Sequence, residues 1–168
     1  DLLGHVSNFE FSNKSALIES RTRVGVYSSV NVLKAAIKGA AGFDLVLFDA
    51  PPGIGCPFIQ TVAQADYVVL VTEPTPYGLS DLKQSIETLK GMDKPYGVIV
   101  NRAGLGNDEV YDYLKKENIP LLMSIPFDKN IAVSYSKGEL LTDRDSKWKE
   151  KFSELCNKVK EEYGNSNN

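Results

Sequence analysis

The 168-residue sequence predicts an α/β fold: a mainly parallel β-sheet flanked by helices on both faces, with a short N-terminal β-hairpin. Three observations carry the prediction. Apolar runs at residues 45–48, 67–72, 95–100 and 119–125 have the length and composition of strands buried on both faces. Segments with helical spacing of apolar residues separate the runs through short connections, which implies βαβ units. Each run also ends abruptly, at Asp49, at Glu73-Pro74, at Asn101-Arg102 and at Pro126. In an open parallel sheet, ligands sit outside that end of the strands.

Residues 1–27 read as two short strands around the polar turn Ser12-Asn13-Lys14. His5, the only histidine, receives no role. Ser28-Ser29 offers an N-cap to a helix carrying Val30, Val32, Leu33, Ala36, Ile37 and Ala40, which Gly42 ends. The run 45–48 follows, and Pro51-Pro52-Gly53 forbids its continuation. A short helix is expected over 58–65. After the run 67–72, a loop stiffened by Pro74 and Pro76 leads into a helix starting at Leu79 or Ser80, with Leu82, Ile86 and Leu89 on its apolar side. Asn107 or Asp108 caps a helix with Val110, Tyr111 and Leu114. A last helix over 146–163 places Trp148, Phe152, Leu155, Cys156 and Val159 on one stripe. Residues 1–163 are expected to form a single α/β domain, and 164–168 a disordered tail. No internal repeat is present.

Composition narrows the function classes. The chain has 42% hydrophobic and 24% charged residues and a formal net charge of -3, so it has no electrostatic case for nucleic acid. No apolar run is long enough to span a membrane. Two cysteines, Cys56 and Cys156, lie far apart in sequence and form no metal pattern, which favours a reduced, cytoplasmic setting.

The stretch 43–56 carries the chemistry. Asp49 stands at a strand's carboxyl end, where one carboxylate can hold hydrated Mg²⁺ against phosphate oxygens. Gly53 and Gly55 let backbone amides approach a phosphate. The plainer alternative for Asp49 is a residue that caps a loop.

Asp49-Ala-Pro-Pro-Gly-Ile-Gly55 resembles the second switch loop of the MinD and nitrogenase-iron-protein group of P-loop ATPases. The resemblance is nearest to MinD-like ATPases with an inserted ferredoxin domain, in which Asp-x-Pro-Pro-Gly-Ile-Gly-Cys-Pro is usual. It covers about residues 23–142. It implies that Asp49 is a water-mediated Mg²⁺ ligand, and that Pro52, Gly53 and Gly55 form a phosphate-sensing loop. It also implies that Asn101 and Arg102 meet the adenine base and that Pro126 to Asp128 close the base pocket. Arg102 could stack on the ring or lie in solvent. Cys56 matches the place of an iron–sulfur ligand in the nitrogenase iron protein, where two subunits share one [4Fe-4S] cluster. Its plainer reading is a small buried thiol.

One part of the family pattern is missing. The 168 residues contain no Gly-Lys-Gly-Gly-x-Gly-Lys-Thr, the family's phosphate loop. The resemblance therefore implies the C-terminal part of an ATPase, with the phosphate loop and ferredoxin insert upstream. The parent is expected to bind ATP and Mg²⁺, to form a homodimer, and to work as a switch coupled to a ferredoxin-type or iron–sulfur partner. By itself the chain is expected to hydrolyse ATP negligibly. The residues 45–48 should then form an exposed edge or self-associate. Two other readings are a non-catalytic interaction module and a flavodoxin- or receiver-like domain. A receiver needs an acidic cluster, for which only Asp49 is a candidate.

Overall fold

The computed structural model describes residues 3–12, 15–26 and 29–166. The chain divides into two compact units, Asp1–Ala65 and Asp66–Asn168.

The first unit opens with an antiparallel hairpin, β1 (Gly4–Ser12) and β2 (Ser15–Thr22), in which Phe9 faces Leu17 and Asn8 faces Ile18. The expected turn residues Asn13 and Lys14 lie outside the described residues, as does Ser28. Helix α1 (Val30–Gly39) packs on the hairpin, and Ser29 occupies its N-cap position without a side-chain cap bond. The close approach is set by two small residues. Ile18 lies over Gly39, and a Cβ on Gly4 would fall 2.9 Å from Val32. Helix α2 (Cys56–Gln64) then begins two residues earlier than the spacing predicts. Pro57 sits near its start, where the missing N–H costs nothing.

The residues 45–48, read from sequence as a buried strand, are not one. The segment lies in no strand, and Leu45 and Leu47 are 71% and 88% exposed. A strand is defined by its ladder of hydrogen bonds, and none of the described residues supplies a ladder partner here. The expected strand with an exposed edge at 45–48 is therefore not there, although Leu45 and Leu47 are themselves exposed.

The second unit is built on a three-stranded parallel sheet in the order β3-β4-β5, formed by Val68–Thr72, Tyr96–Ala103 and Leu121–Pro126. Its central strand buries Gly97, Val98, Ile99 and Val100 in succession, the continuous apolar run expected of a strand covered on both faces. Helix α3 (Pro76–Gly91) packs against β3 through the period Leu82, Ile86 and Leu89. Helix α4 (Glu109–Lys116) buries Val110 and Leu114 and packs against α3. Two short helices, α5 (Lys129–Ser136) and α6 (Leu141–Arg144), lead to α7 (Ser146–Ser166).

Helix α7 packs on β5, and Lys158 Nζ donates to the carbonyl of Leu122 at 3.2 Å. Trp148, Phe152, Leu155 and Val159 are half-buried. Cys156, expected on the same stripe, is exposed, because it lies one residue, or about 100° of turn, past Leu155. The helix runs on to Ser166, beyond the expected end at Tyr163, and Asn167 and Asn168 lie outside the described residues. Among the described residues no helix is long and apolar enough to cross a membrane.

Candidate functional site

In the first unit, Asp49 is exposed at the start of the proline turn. It lines an open groove of about 470 Å³ together with Pro51, Pro52, Thr22 and Ser29. Gly53 has φ +87, a conformation that favours glycine, so the turn reverses there. Gly55 is the N-cap of α2, with extended backbone and no side chain to satisfy the first amides of the helix. Those amides are left for water or an anion. The loop therefore combines an exposed carboxylate at Asp49 with a helix start at Cys56. Cys56, in the first turn of α2, is a free and exposed thiol and not the buried one of its plainer reading.

In the second unit, the carboxyl ends of three neighbouring strands are tied together. Between β4 and β5 the pairing shifts from Val100 to Ala103, so Asn101 and Arg102 form a bulge. Arg102 takes up φ +53, uncommon for a residue with a long side chain. The Asn101 Oδ1 accepts from the Arg102 N–H at 2.9 Å. Ala103 is opposite Pro126, and its carbonyl accepts from the Phe127 N–H at 2.9 Å. Asp128 caps α5 by accepting from the Asn130 N–H at 2.8 Å. Asn101, Arg102, Pro126 and Asp128 are thus gathered at the carboxyl-terminal end of one sheet.

Sequence reasoning missed what the third strand, β3, brings to this end of the sheet. The Arg102 guanidinium reaches the Glu73 carboxylate at 3.1 Å, from the end of β4 to the end of β3. Arg102 thus lies largely in solvent with its guanidinium paired to Glu73. The Glu73 loop is held firmly: Pro74 is fully buried, and its carbonyl accepts from the Asn107 N–H at 3.3 Å. Thr72 donates to the Gly78 carbonyl at 2.9 Å, and Thr75 Oγ1 accepts from the Gly78 N–H at 3.0 Å. The signal was present in Glu73-Pro74-Thr75-Pro76, a loop rigid enough to aim a carboxylate.

Among the described residues, no three His, Cys, Asp or Glu side chains gather as a metal cage. One exposed carboxylate fits Mg²⁺ only in the mode where phosphate and water supply the other ligands. A [4Fe-4S] cluster needs four thiolates, and this chain has two cysteines, so it does not fit a single chain.

A parallel sheet with polar residues at the carboxyl ends of its strands is the arrangement of an α/β domain, and the chain carries a proline-glycine loop before it in sequence. No family model matches the sequence. It is 36% identical over 118 residues to an uncharacterized protein of Methanocaldococcus jannaschii, covering 70% of this chain and 40% of that protein. It is 28% identical over 134 residues to an iron-sulfur cluster carrier protein of Methanococcus maripaludis, covering 70% and 46%. The MinD cell division protein of Aquifex aeolicus superposes with a TM-score of 0.57 at 25% identity, over 77% of this chain and 60% of that one. The chain thus spans less than half the length of these two relatives. These likenesses support a MinD-like superfamily assignment, that of P-loop ATPases.

Proposed function

We propose that this chain supplies the switch loop and the base-side edge of a MinD-like ATPase that binds ATP with Mg²⁺ and works as a nucleotide-driven switch. In this reading residues 1–163 serve one ATPase domain, and the phosphate loop lies elsewhere in the complete polypeptide. Asp49 holds Mg²⁺ through water, and the amides around Gly53 and Gly55 respond to the terminal phosphate. Asn101 meets the adenine, with Pro126 and Asp128 beside it. Two copies close around the nucleotide, hydrolysis releases the loop, and the movement is passed to a partner. The observation that carries the reading is the gathering of Asn101, Arg102 and Pro126 at the carboxyl-terminal end of one sheet. Membership of a nucleotide-binding ATPase superfamily supports it.

The test is Mg²⁺-dependent ATP binding by the complete gene product. Asp49→Ala should weaken it about tenfold or more, the usual cost of losing an outer-sphere metal partner. Binding that is absent, or indifferent to Asp49→Ala, favours the non-catalytic interaction module. The chain itself, without the phosphate loop and its lysines, should hydrolyse ATP negligibly.

Similarity to an iron-sulfur cluster carrier supports a narrower addition: Cys56 from each of two copies contributes to a shared [4Fe-4S] cluster, and a ferredoxin-type protein is the electron-transfer partner. Further thiolates must come from outside this chain. The free, exposed thiol is accessible for such a role and suits a reducing, cytoplasmic setting. Anaerobic reconstitution should give visible absorbance that Cys56→Ser abolishes. Its absence removes the cluster and leaves the nucleotide switch standing.

A further inference from the structure

The Glu73–Arg102 ion pair takes no part in the reading above. We propose that it is a latch that fixes the geometry of Asn101, which makes Glu73 a positioning residue for the base-side subsite. The inference rests on the nucleotide reading.

The argument starts at the backbone of Arg102. Its φ of +53 is costly for a side chain with a Cβ, and such conformations persist where surrounding contacts over-determine them. Three contacts do so here. The Arg102 N–H donates to Asn101 Oδ1 at 2.9 Å, the Leu105 N–H donates to the Arg102 carbonyl at 3.1 Å, and the guanidinium reaches Glu73 at 3.1 Å. The first of these orients the Asn101 amide. A backbone N–H can only donate, so the oxygen of the amide faces it, and the NH₂ group points elsewhere. Asn101 is therefore held only as long as Arg102 keeps its left-handed turn.

Glu73 is a fixed anchor for that turn. Pro74 follows it, fully buried. Gly106, at φ +87, lies against the Pro74 carbonyl so closely that any Cβ would overlap it. The chain after β4 thus folds back over the chain after β3 and grips the loop that carries the carboxylate. The two side chains of the ion pair are 56% and 40% exposed, so the pair contributes little to overall stability. Its effect belongs to preorganisation: a subsite already in its bound geometry gives up less on binding.

The experiment separates base from phosphate. In the complete gene product, affinities for ATP and for inorganic tripolyphosphate are measured for the wild type, Glu73→Gln, and the reversed pair Glu73→Arg with Arg102→Glu. Glu73→Gln should weaken ATP about threefold, the range of a partly exposed ion pair, and leave tripolyphosphate unchanged. The reversed pair should recover most of the loss. Hydrogen exchange at the Arg102 and Leu105 amides should quicken in Glu73→Gln. Equal losses on both ligands, an unchanged or improved ATP affinity, or no recovery in the reversed pair overturns the latch while the nucleotide reading stands. A wild type that binds neither ligand overturns both.

Discussion

Tyr67 shows how a single residue can mark a close fit. Its hydroxyl is buried without a hydrogen-bond partner, and it lies 2.6 Å from where a Cβ on Gly97 would sit. Burial, aided by the nearby Glu162 charge, pushes its pKa up to about 12 from the ordinary 10. The native state therefore keeps the phenol proton to higher pH than the unfolded chain does. By linkage, the contribution is fully present below pH 10 and is lost as pH rises through about 12. Tyr67→Phe should leave stability at pH 7 unchanged or slightly raised, since no hydrogen bond is lost. It should also flatten the fall in melting temperature between pH 10 and 12, although Tyr96 and Tyr113, whose pKa values burial also raises, keep part of that slope. An unchanged slope would show that the phenol is not what titrates. Little of this was legible in sequence: Tyr67 opens an apolar run, and nothing in the run says that its tip meets a glycine one strand away. Asn101 and Pro126 could be placed near strand ends from sequence because each follows a run that pairs in the sheet; Asp49 also ends a run, but that run lies in no strand. The role of Glu73 was not legible, because it depends on the bulge at Arg102.

At the scale of elements, helices were legible from their apolar period, and their starts were not. The helix expected from Leu79 or Ser80 begins at Pro76, with Thr75 as N-cap. Periodicity is blind to this first turn, which carries Tyr77, 86% exposed, and no core residue. The determinant is local chemistry: the threonine hydroxyl accepts the Gly78 N–H, and proline fits the first helical position. Thr75→Ala should lower unfolding free energy by about 1 kcal/mol in denaturant titration, and Thr75→Ser should restore most of it. A serine variant as weak as the alanine one would assign the loss to the methyl group. Strand assignments depend on partners in a way helix assignments do not. Three of the four apolar runs became strands because each found a neighbour in the β3-β4-β5 sheet; the run at 45–48 has the same composition and no ladder partner among the described residues.

For the molecule as a whole, the same partner deficit sets its behaviour in solution. Strand β3 ends the parallel sheet among the described residues. It buries Val68, Leu70 and Thr72 on one side, while Val69 and Val71 are 38% and 62% exposed. Parallel sheets are seldom left with apolar edges in water, because unpaired N–H and C=O groups beside valines invite another strand. In the other unit, Leu45 and Leu47 add a second exposed apolar stretch. The isolated 168-residue chain should therefore self-associate as concentration rises, read as a shift in sedimentation coefficient. Val71→Lys should suppress much of that shift, since a charge on an edge strand blocks pairing, and Leu47→Lys should remove part of the remainder. The complete gene product, if it covers β3 with a strand of its own, should sediment without this dependence, and Val71→Lys should then destabilise it by burying a charge. A wild-type chain that stays monomeric throughout would mean that these valines are not an adhesive edge.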